Sequence, residues 1–177
     1  MSKPRRPPWP SRSRSRSDEL SITRYIDASP ETVYRVWTER TGEWWCPKPW
    51  TTPVVEWDLK AGGRAFTVMR SPEGEDMPHD RLFLEVVPNE KVVFTKAFTA
   101  GWNPQVLSGE GCDFGMVAIM TFEAEGDGTR YTARARHWDE EALKAHEAMG
   151  FHEGWGQVAN QLAELAEAEE ATESQAA

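Results

Sequence analysis

Residues capable of acid-base, nucleophilic or metal chemistry are scattered along this sequence. The four histidines form no i, i+4 pair, and the chain contains no HExxH, CxxC or acidic calcium loop, so the sequence predicts no metal site. Ser108 lacks the GxSxG context of a hydrolase nucleophile, and glycine-rich phosphate loops are absent; we expect no cofactor. Glu85, Asp80 and His137 could still serve as acid and base if the fold brought them to one cavity.

Aromatic side chains are the second chemical feature. Nine Trp and seven Phe supply large apolar surfaces. Such residues can line an apolar pocket that has a few polar anchors, although aromatic core packing explains them too. The residues in question are Trp44, Trp45, Trp50, Trp57, Phe98, Trp102 and Phe114.

One predicted strand, RYTARARHW, suggests where such a pocket would lie. Tyr131, Ala133, Ala135 and His137 share one of its faces, because side chains alternate along a strand. The two alanines leave space that a close-packed core would normally fill. A cavity is one interpretation, and occupation of the space by a bulky helix residue such as Trp155 is the other.

A glycine-rich stretch, 149–156, lies in the last predicted helix. Each of its three glycines costs a helix up to about 1 kcal/mol relative to alanine. Their missing side chains could let a ligand or the sheet approach the backbone beside Trp155, and a kink or tight packing is the alternative. Met149 and His152 become further cavity candidates, with a surface or packed histidine as the alternative for His152. Cys112, in a glycine-rich loop, could belong to a lid or be an ordinary loop thiol.

The elements that must position these residues follow from periodicity. Leu20–Asp27 alternates as a strand does, and Ser29-Pro30-Glu31 then supplies the cap, the proline and the acid of a helix start. A second short helix or loop follows among prolines. Period-two runs come next: VVEWDL, RAFTVMR, RLFLEVV, KVVFTKAF, MVAIMTFEA and TRYTARARHW. The last two form a hairpin across Glu125–Gly128, and an apolar stripe from about Asp139 predicts a long helix.

Composition divides the chain into three parts. Residues 1–17 are basic, rich in Ser and Arg, and poor in apolar surface, which predicts a disordered tail. This tail could be an inert extension, or it could touch RNA, anionic lipid or the acidic body of another copy. Residues 18–168 form one domain, and 169–177 an acidic disordered tail.

The net charge of the whole chain is −9. Because the tail is basic, the remaining residues carry a more negative charge than this value, and we expect no nucleic-acid binding by them. Without an apolar run long enough to span a bilayer, we expect no membrane insertion. The two cysteines are too few for a disulfide scaffold, so we expect a reducing, cytoplasmic location.

Several motifs resemble one family. These are Trp44-Trp45-x-Pro47, Asp58-Leu59-Lys60-Ala61-Gly62-Gly63-Arg64, Leu84-Glu85-Val86-Val87-Pro88 and Met149-Gly150-Phe151-His152-Glu153-Gly154-Trp155. Together with the order of elements, they resemble the START-like (SRPBCC) helix-grip superfamily, in particular proteins similar to the activator of the heat-shock protein 90 ATPase. The resemblance implies an α+β fold in which a curved antiparallel sheet of six or seven strands wraps around a long C-terminal helix.

Three functions stay open at this point. The leading hypothesis is a binding protein for a small hydrophobic or amphipathic molecule held between sheet and helix, with a homodimer as one assembly. The second is a cavity enzyme of the cyclase, dehydratase or hydrolase type, and the third is an interaction module like the chaperone activators. The cavity candidates are Trp45, Trp57, Phe98, Trp102, Phe114, Tyr131, Ala133, Ala135, His137, Met149, His152 and Trp155.

Overall fold

The computed structural model describes residues 18–109 and 113–176; the predicted N-terminal tail and Cys112 lie outside them. The strands are β1 Glu19–Ile26, β2 Thr51–Trp57, β3 Arg64–Arg70, β4 Asp76–Val87, β5 Lys91–Thr95, β6 Phe98–Thr99, β7 Asn103–Pro104, β8 Met116–Glu125 and β9 Gly128–His137. The helices are α1 Pro30–Glu39, α2 Thr41–Trp44, α3 Glu140–Ala148 and α4 Phe151–Ala176. These elements confirm the predicted α+β helix-grip fold.

Seven strands form one antiparallel sheet in the order β1-β9-β8-β5-β4-β3-β2. Register shifts between Thr51 and Val54 and between Phe83 and Glu85 mark irregularities in β2 and β4, and such bulges bend a sheet. Helix α4 packs against β1 and α1, so it covers one face of the sheet. The remaining strands, β6 and β7, form a small separate hairpin.

The first helix begins as its sequence predicts. Ser29 is the N-cap, its hydroxyl accepts a hydrogen bond from the Thr32 backbone N–H, and Pro30 follows at the start of α1. The buried face of α1 carries Val33, Val36 and Trp37. This face joins the core formed by β8, β9 and α4.

The predicted long C-terminal helix is divided in two. Gly150 has a φ of +86°, which glycine adopts readily and which commonly ends a helix; its N–H bonds to the Glu147 carbonyl oxygen. The apolar stripe therefore restarts after the break. Phe151, which the single-helix pattern displaced from the stripe, is buried, and Met149 is 48% exposed.

The predicted acidic tail, 169–177, instead continues α4 as far as Ala176. Its helical conformation has a physical reason in the basic residues of the first helical segment. Glu169 pairs with Arg35 at 2.7 Å and with Arg40 at 3.0 Å, and Glu173 pairs with Arg35 at 2.6 Å. These contacts hold the end of α4 against α1.

The strand β4 is longer than the predicted run of Arg81–Val87. It begins at Asp76, and Pro78 is paired with Val68 of β3. A proline cannot donate a ladder hydrogen bond, but β5 pairs only with the part of β4 from Leu82 onward. The extension adds His79 to the inner face of the sheet, beside Arg81 of the predicted run, and both residues become part of the site below.

Candidate functional site: a cavity between the sheet and helices α3 and α4

A cavity of about 280 Å³ lies between the inner face of the sheet and the junction of α3 with α4. Its wall combines aromatic and methionine side chains with a few polar ones. The lining residues are Ile22, Trp44, Trp45, Pro47, Met69, His79, Arg81, Phe94, Lys96, Phe114, Met116, Met120, Tyr131, Ala133, His146, Met149, Gly150, Phe151, Gly154, Trp155, Val158 and Ala159.

Small residues keep this space open. Ala133 on β9 and Ala159 on α4 are both in the wall, and neither extends beyond Cβ. A Cβ added at Gly154 would meet only Pro47 Cγ, at 3.9 Å, which is ordinary van der Waals separation. The missing side chain of Gly154 therefore contributes open volume, whereas Gly150 contributes the bend that turns α3 away from α4.

Arg81 is a cation of the cavity wall with unusual surroundings. Its Nη2 donates to the Thr67 hydroxyl, and its Nε is buried without a hydrogen-bond partner. The guanidinium carbon lies 5.1 Å from the ring centres of both Trp45 and Phe94, which favours the cation through the aromatic quadrupoles. Burial lowers the pKa of Arg81 to about 10, so the side chain is still protonated at neutral pH.

Two further basic side chains share the lining. His79 lies two residues before Arg81 on the same face of β4; its Nε2 is buried and unpartnered, and burial lowers its pKa to about 4. Lys96 forms an ion pair with Asp113 at 3.2 Å. This part of the wall, on β4 and just after β5, thus holds one paired cation, one neutral histidine and Arg81.

His146 reaches the cavity from α3 as the end of a chain of hydrogen bonds. Its Nδ1 lies 2.9 Å from His137 Nε2, and His137 Nδ1 lies 3.3 Å from the Asp18 backbone carbonyl oxygen. Burial lowers the pKa of both rings, that of His146 to about 4 with help from the neighbouring His137 and Lys96. Both rings are therefore neutral at pH 7.

The carbonyl fixes the tautomers of this pair. Because a carbonyl oxygen can only accept, His137 Nδ1 carries the proton and its Nε2 accepts from His146 Nδ1. The Nε2 atom of His146 is then an acceptor. The His146 ring is held by Phe114, Phe151 and Trp155, whose ring centres lie 4.7, 4.9 and 5.5 Å away.

The structure brings together half of the sequence-predicted cavity residues. Those in the lining are Trp45, Phe114, Tyr131, Ala133, Met149 and Trp155. Met149, half exposed, lies at the mouth. The remaining predicted residues lie elsewhere, each for its own packing reason.

Four of the residues outside the lining are in the core or on the hairpin. Trp57 packs on Trp37 with ring centres 4.6 Å apart. Phe98 and Trp102 face each other across the β6–β7 hairpin, where the Trp102 indole lies against Gly62 and is 54% exposed. Ala135 is fully buried in the core of β9.

The two remaining histidines also lie outside the lining. His137 is directly behind His146 and supports it, as described above. His152 is on the exposed side of α4, beside Phe151. The cavity histidines are therefore His79 and His146, which the sequence reasoning did not select.

The residues predicted for acid-base catalysis do not converge. Glu85 is an exposed partner of Lys91 at 2.6 Å. Asp80 faces the opposite side of β4 from Arg81, because neighbouring strand residues alternate, and it accepts hydrogen bonds from Arg64. With His137 behind the wall, none of the three lines the cavity, and the enzyme that the sequence hypothesis built on them is not supported.

Sequence signals existed for some of the missed residues. His79 and Arg81 alternate in step with the buried Phe83, so a polar pair occupies inner positions of a strand, an arrangement that usually needs a reason. Because Pro78 argues against a strand, the predicted run began only at Arg81 and left out His79. His146 follows the buried Ala142 by four residues on α3, but only the bend at Gly150 directs it toward the cavity.

Within residues 18–109 and 113–176, no group of three or more His, Cys, Asp or Glu side chains could hold a metal ion. In the same part of the chain, no helix is long and apolar enough to cross a membrane.

Comparison with known proteins places the chain in a family. Residues 27–167 match the family model described as "Activator of Hsp90 ATPase homolog 1-like protein". The chain belongs to this family. The match covers most of the described residues and confirms the resemblance seen in the sequence motifs. No curated protein sequence gave a significant match.

Solved structures of bacterial proteins share the fold. Protein NE0264 from Nitrosomonas europaea is 36% identical with a TM-score of 0.81, over 89% of this chain and 99% of that one. Protein Ms6760 from Mycobacterium smegmatis is 25% identical with a TM-score of 0.68, covering 84% and 90%. An AHSA1 protein from Silicibacter pomeroyi is 24% identical with a TM-score of 0.60, covering 84% and 97%, and that likeness concerns the fold alone.

Proposed function

We propose that this protein binds a small hydrophobic or amphipathic molecule in the cavity between the sheet and helices α3 and α4. The observation that carries the proposal is the cavity itself: about 280 Å³, close to the lower end of the roughly 300–1,000 Å³ typical of small-molecule sites. Its largely aromatic and methionine wall, with a few polar groups, has the composition that such sites share.

The energetics favour apolar ligands. Each Å² of apolar ligand surface removed from water contributes about 25 cal/mol. The rings of Phe114, Phe151 and Trp155 are already packed together around His146, so little side-chain ordering is needed on binding. A preformed wall reduces the entropic cost of association.

Binding is better supported than acid-base catalysis. A general base works best when its pKa lies near the operating pH, and that of His146 is lowered to about 4. The hydrogen-bond chain behind His146 leads through His137 to a backbone carbonyl, which supports an imidazolium less than a directly bonded carboxylate would. The same features suit a fixed acceptor that orients a ligand.

A fluorescence titration with the neutral probe N-phenyl-1-naphthylamine tests the proposal. We expect saturable binding by the unmodified chain and its loss in Gly154→Leu, whose side chain would occupy the open volume between α4 and Pro47. His152→Leu is the matched control, since it adds the same side chain to the exposed side of the same helix and should leave binding unchanged.

Two results would count against a binding cavity. One is probe binding that Gly154→Leu leaves intact while its circular dichroism matches that of the unmodified chain. The other is an absence of binding by neutral, anionic and cationic naphthyl compounds alike.

A further inference from the structure

The guanidinium of Arg81 lacks the partner that a buried cation normally has. Among the described residues, its single hydrogen bond goes to the uncharged hydroxyl of Thr67, and Nε has no partner. Arg64, on the neighbouring strand, shows the usual arrangement, holding Asp80 and Glu56 at 2.8 Å each. Arg81 is partly buried as a residue, and its Nε is fully enclosed. A cation held in this way without a carboxylate is costly, so its position needs an explanation that packing does not supply.

Nearby carboxylates do not neutralise Arg81. Asp80 points to the other side of β4 and is engaged by Arg64. Asp113 is paired with Lys96. The described residues that line the cavity include no Asp or Glu, so an anion that entered the cavity could pair directly with Arg81.

The other polar groups of the wall cannot take this role. His79 and His146 are neutral at pH 7 because burial lowers the pKa of each to about 4. The Nδ1 proton of His146 is donated to His137, and its other nitrogen is an acceptor, which cannot donate to an anionic oxygen. Arg81 is therefore the anchor for negative charge, with Trp45 and Phe94 holding its guanidinium in place.

We propose that the ligand of this cavity is an apolar molecule bearing a carboxylate, and that the carboxylate pairs with Arg81 while the apolar part lies against the aromatic wall. This inference rests on the proposed function and narrows it to one chemical class. The planar guanidinium can donate two parallel hydrogen bonds to a carboxylate. The ligand thereby supplies the missing partner of the buried cation.

Calorimetric titration with 2-naphthoate and its neutral isostere 2-naphthamide at pH 7 tests this directly. The two compounds present the same rings and differ in charge. We expect the unmodified chain to prefer naphthoate by at least about tenfold, the usual worth of a hydrogen bond to a charged group. Arg81→Met should erase this preference by weakening naphthoate alone, with naphthamide binding unchanged as proof of an intact fold.

Two further variants sharpen the test. Arg64→Met removes an arginine from the opposite side of the sheet and should leave the preference intact. Arg81→Lys keeps the charge but loses the bidentate geometry, so an intermediate preference is expected.

Each outcome separates the two proposals. Equal binding of the two compounds by the unmodified chain, or a preference that survives Arg81→Met, would overturn the carboxylate assignment and leave the binding cavity standing. Failure of both compounds and of N-phenyl-1-naphthylamine to bind would overturn the binding cavity itself.

Discussion

Two aromatic regions of this molecule meet at Trp44 and Trp45 and differ in how completely they are filled. On one side, Trp45 packs with Trp37, Trp44 and Trp57, with ring centres 4.6 to 5.8 Å apart where these rings meet. On the other, it borders the cavity that Trp155 and its neighbours surround. Both regions are rich in aromatic rings, yet only one is filled.

The difference comes from the small residues and from the helix break. In the closed cluster, rings of α1, α2 and β2 face one another directly. At the cavity, Ala133, Gly154 and Ala159 remove side-chain volume from the wall, and Gly150 bends the helix. Aromatic content therefore predicts a large apolar region, and the small residues decide whether it is solid or open.

Trp37→Ala, a substitution in the closed cluster, should produce the largest loss of stability. Trp37 is fully buried, and removing a core aromatic side chain typically costs about 3–5 kcal/mol of unfolding free energy. Trp155→Ala should cost clearly less, since part of that side chain faces empty space. Urea unfolding at pH 7 measures both, and equal losses would contradict the division into closed and open regions.

The buried His146 should give a change in unfolding stability of intermediate size, and this change depends on pH. Because the folded-state pKa of His146, about 4, lies below the ordinary 6.5, the unfolded chain binds more protons between these values. The contribution of His146 to the free energy of unfolding is therefore complete above about pH 6.5. It is lost as the pH decreases toward 4, and the loss amounts to up to about 3 kcal/mol. Urea midpoints at pH 7, 6 and 5 measure the slope.

A pair of variants tests whether the pH dependence of the urea midpoint arises from the histidine beside the cavity. His146→Phe should flatten it, leaving the parts due to His79 and His137, while the exposed His152→Gln should not change it. An unchanged slope in His146→Phe would show that the titrating groups lie elsewhere.

Gly154→Ala should have the smallest effect, with the opposite sign. Alanine is the better helix former by up to about 1 kcal/mol, and its Cβ meets no close atom, so the melting temperature should rise slightly. Gly115→Ala is the contrasting control, since its Cβ would overlap the Trp138 ring at 1.6 Å and should destabilise. A loss of stability in Gly154→Ala would mean that the space beside it is not open.

Local patterns are enough to predict most of the fold. The cap at Ser29, the period-two runs and the turn before Gly128 depend on neighbours in the sequence. The cap and the turn are found where they were predicted, and each run overlaps a strand, although β2 and β4 begin earlier than predicted and the run KVVFTKAF is divided between β5 and β6. The tail from residue 169 escapes such reasoning because its helix is held by Arg35 and Arg40, which lie far away in the chain. Composition alone favours fraying there.

The site follows the same rule. Tyr131, Ala133 and Trp155 could be selected from one strand and one helix, because their faces follow from periodicity. Arg81, His79 and His146 could not be selected together, since they come from different elements and only the closed sheet places them around one space. The sequence by itself determined an aromatic helix-grip domain; the tertiary structure decided that it encloses an open cavity with an unpaired cation, because both volume and charge balance depend on contacts between distant segments.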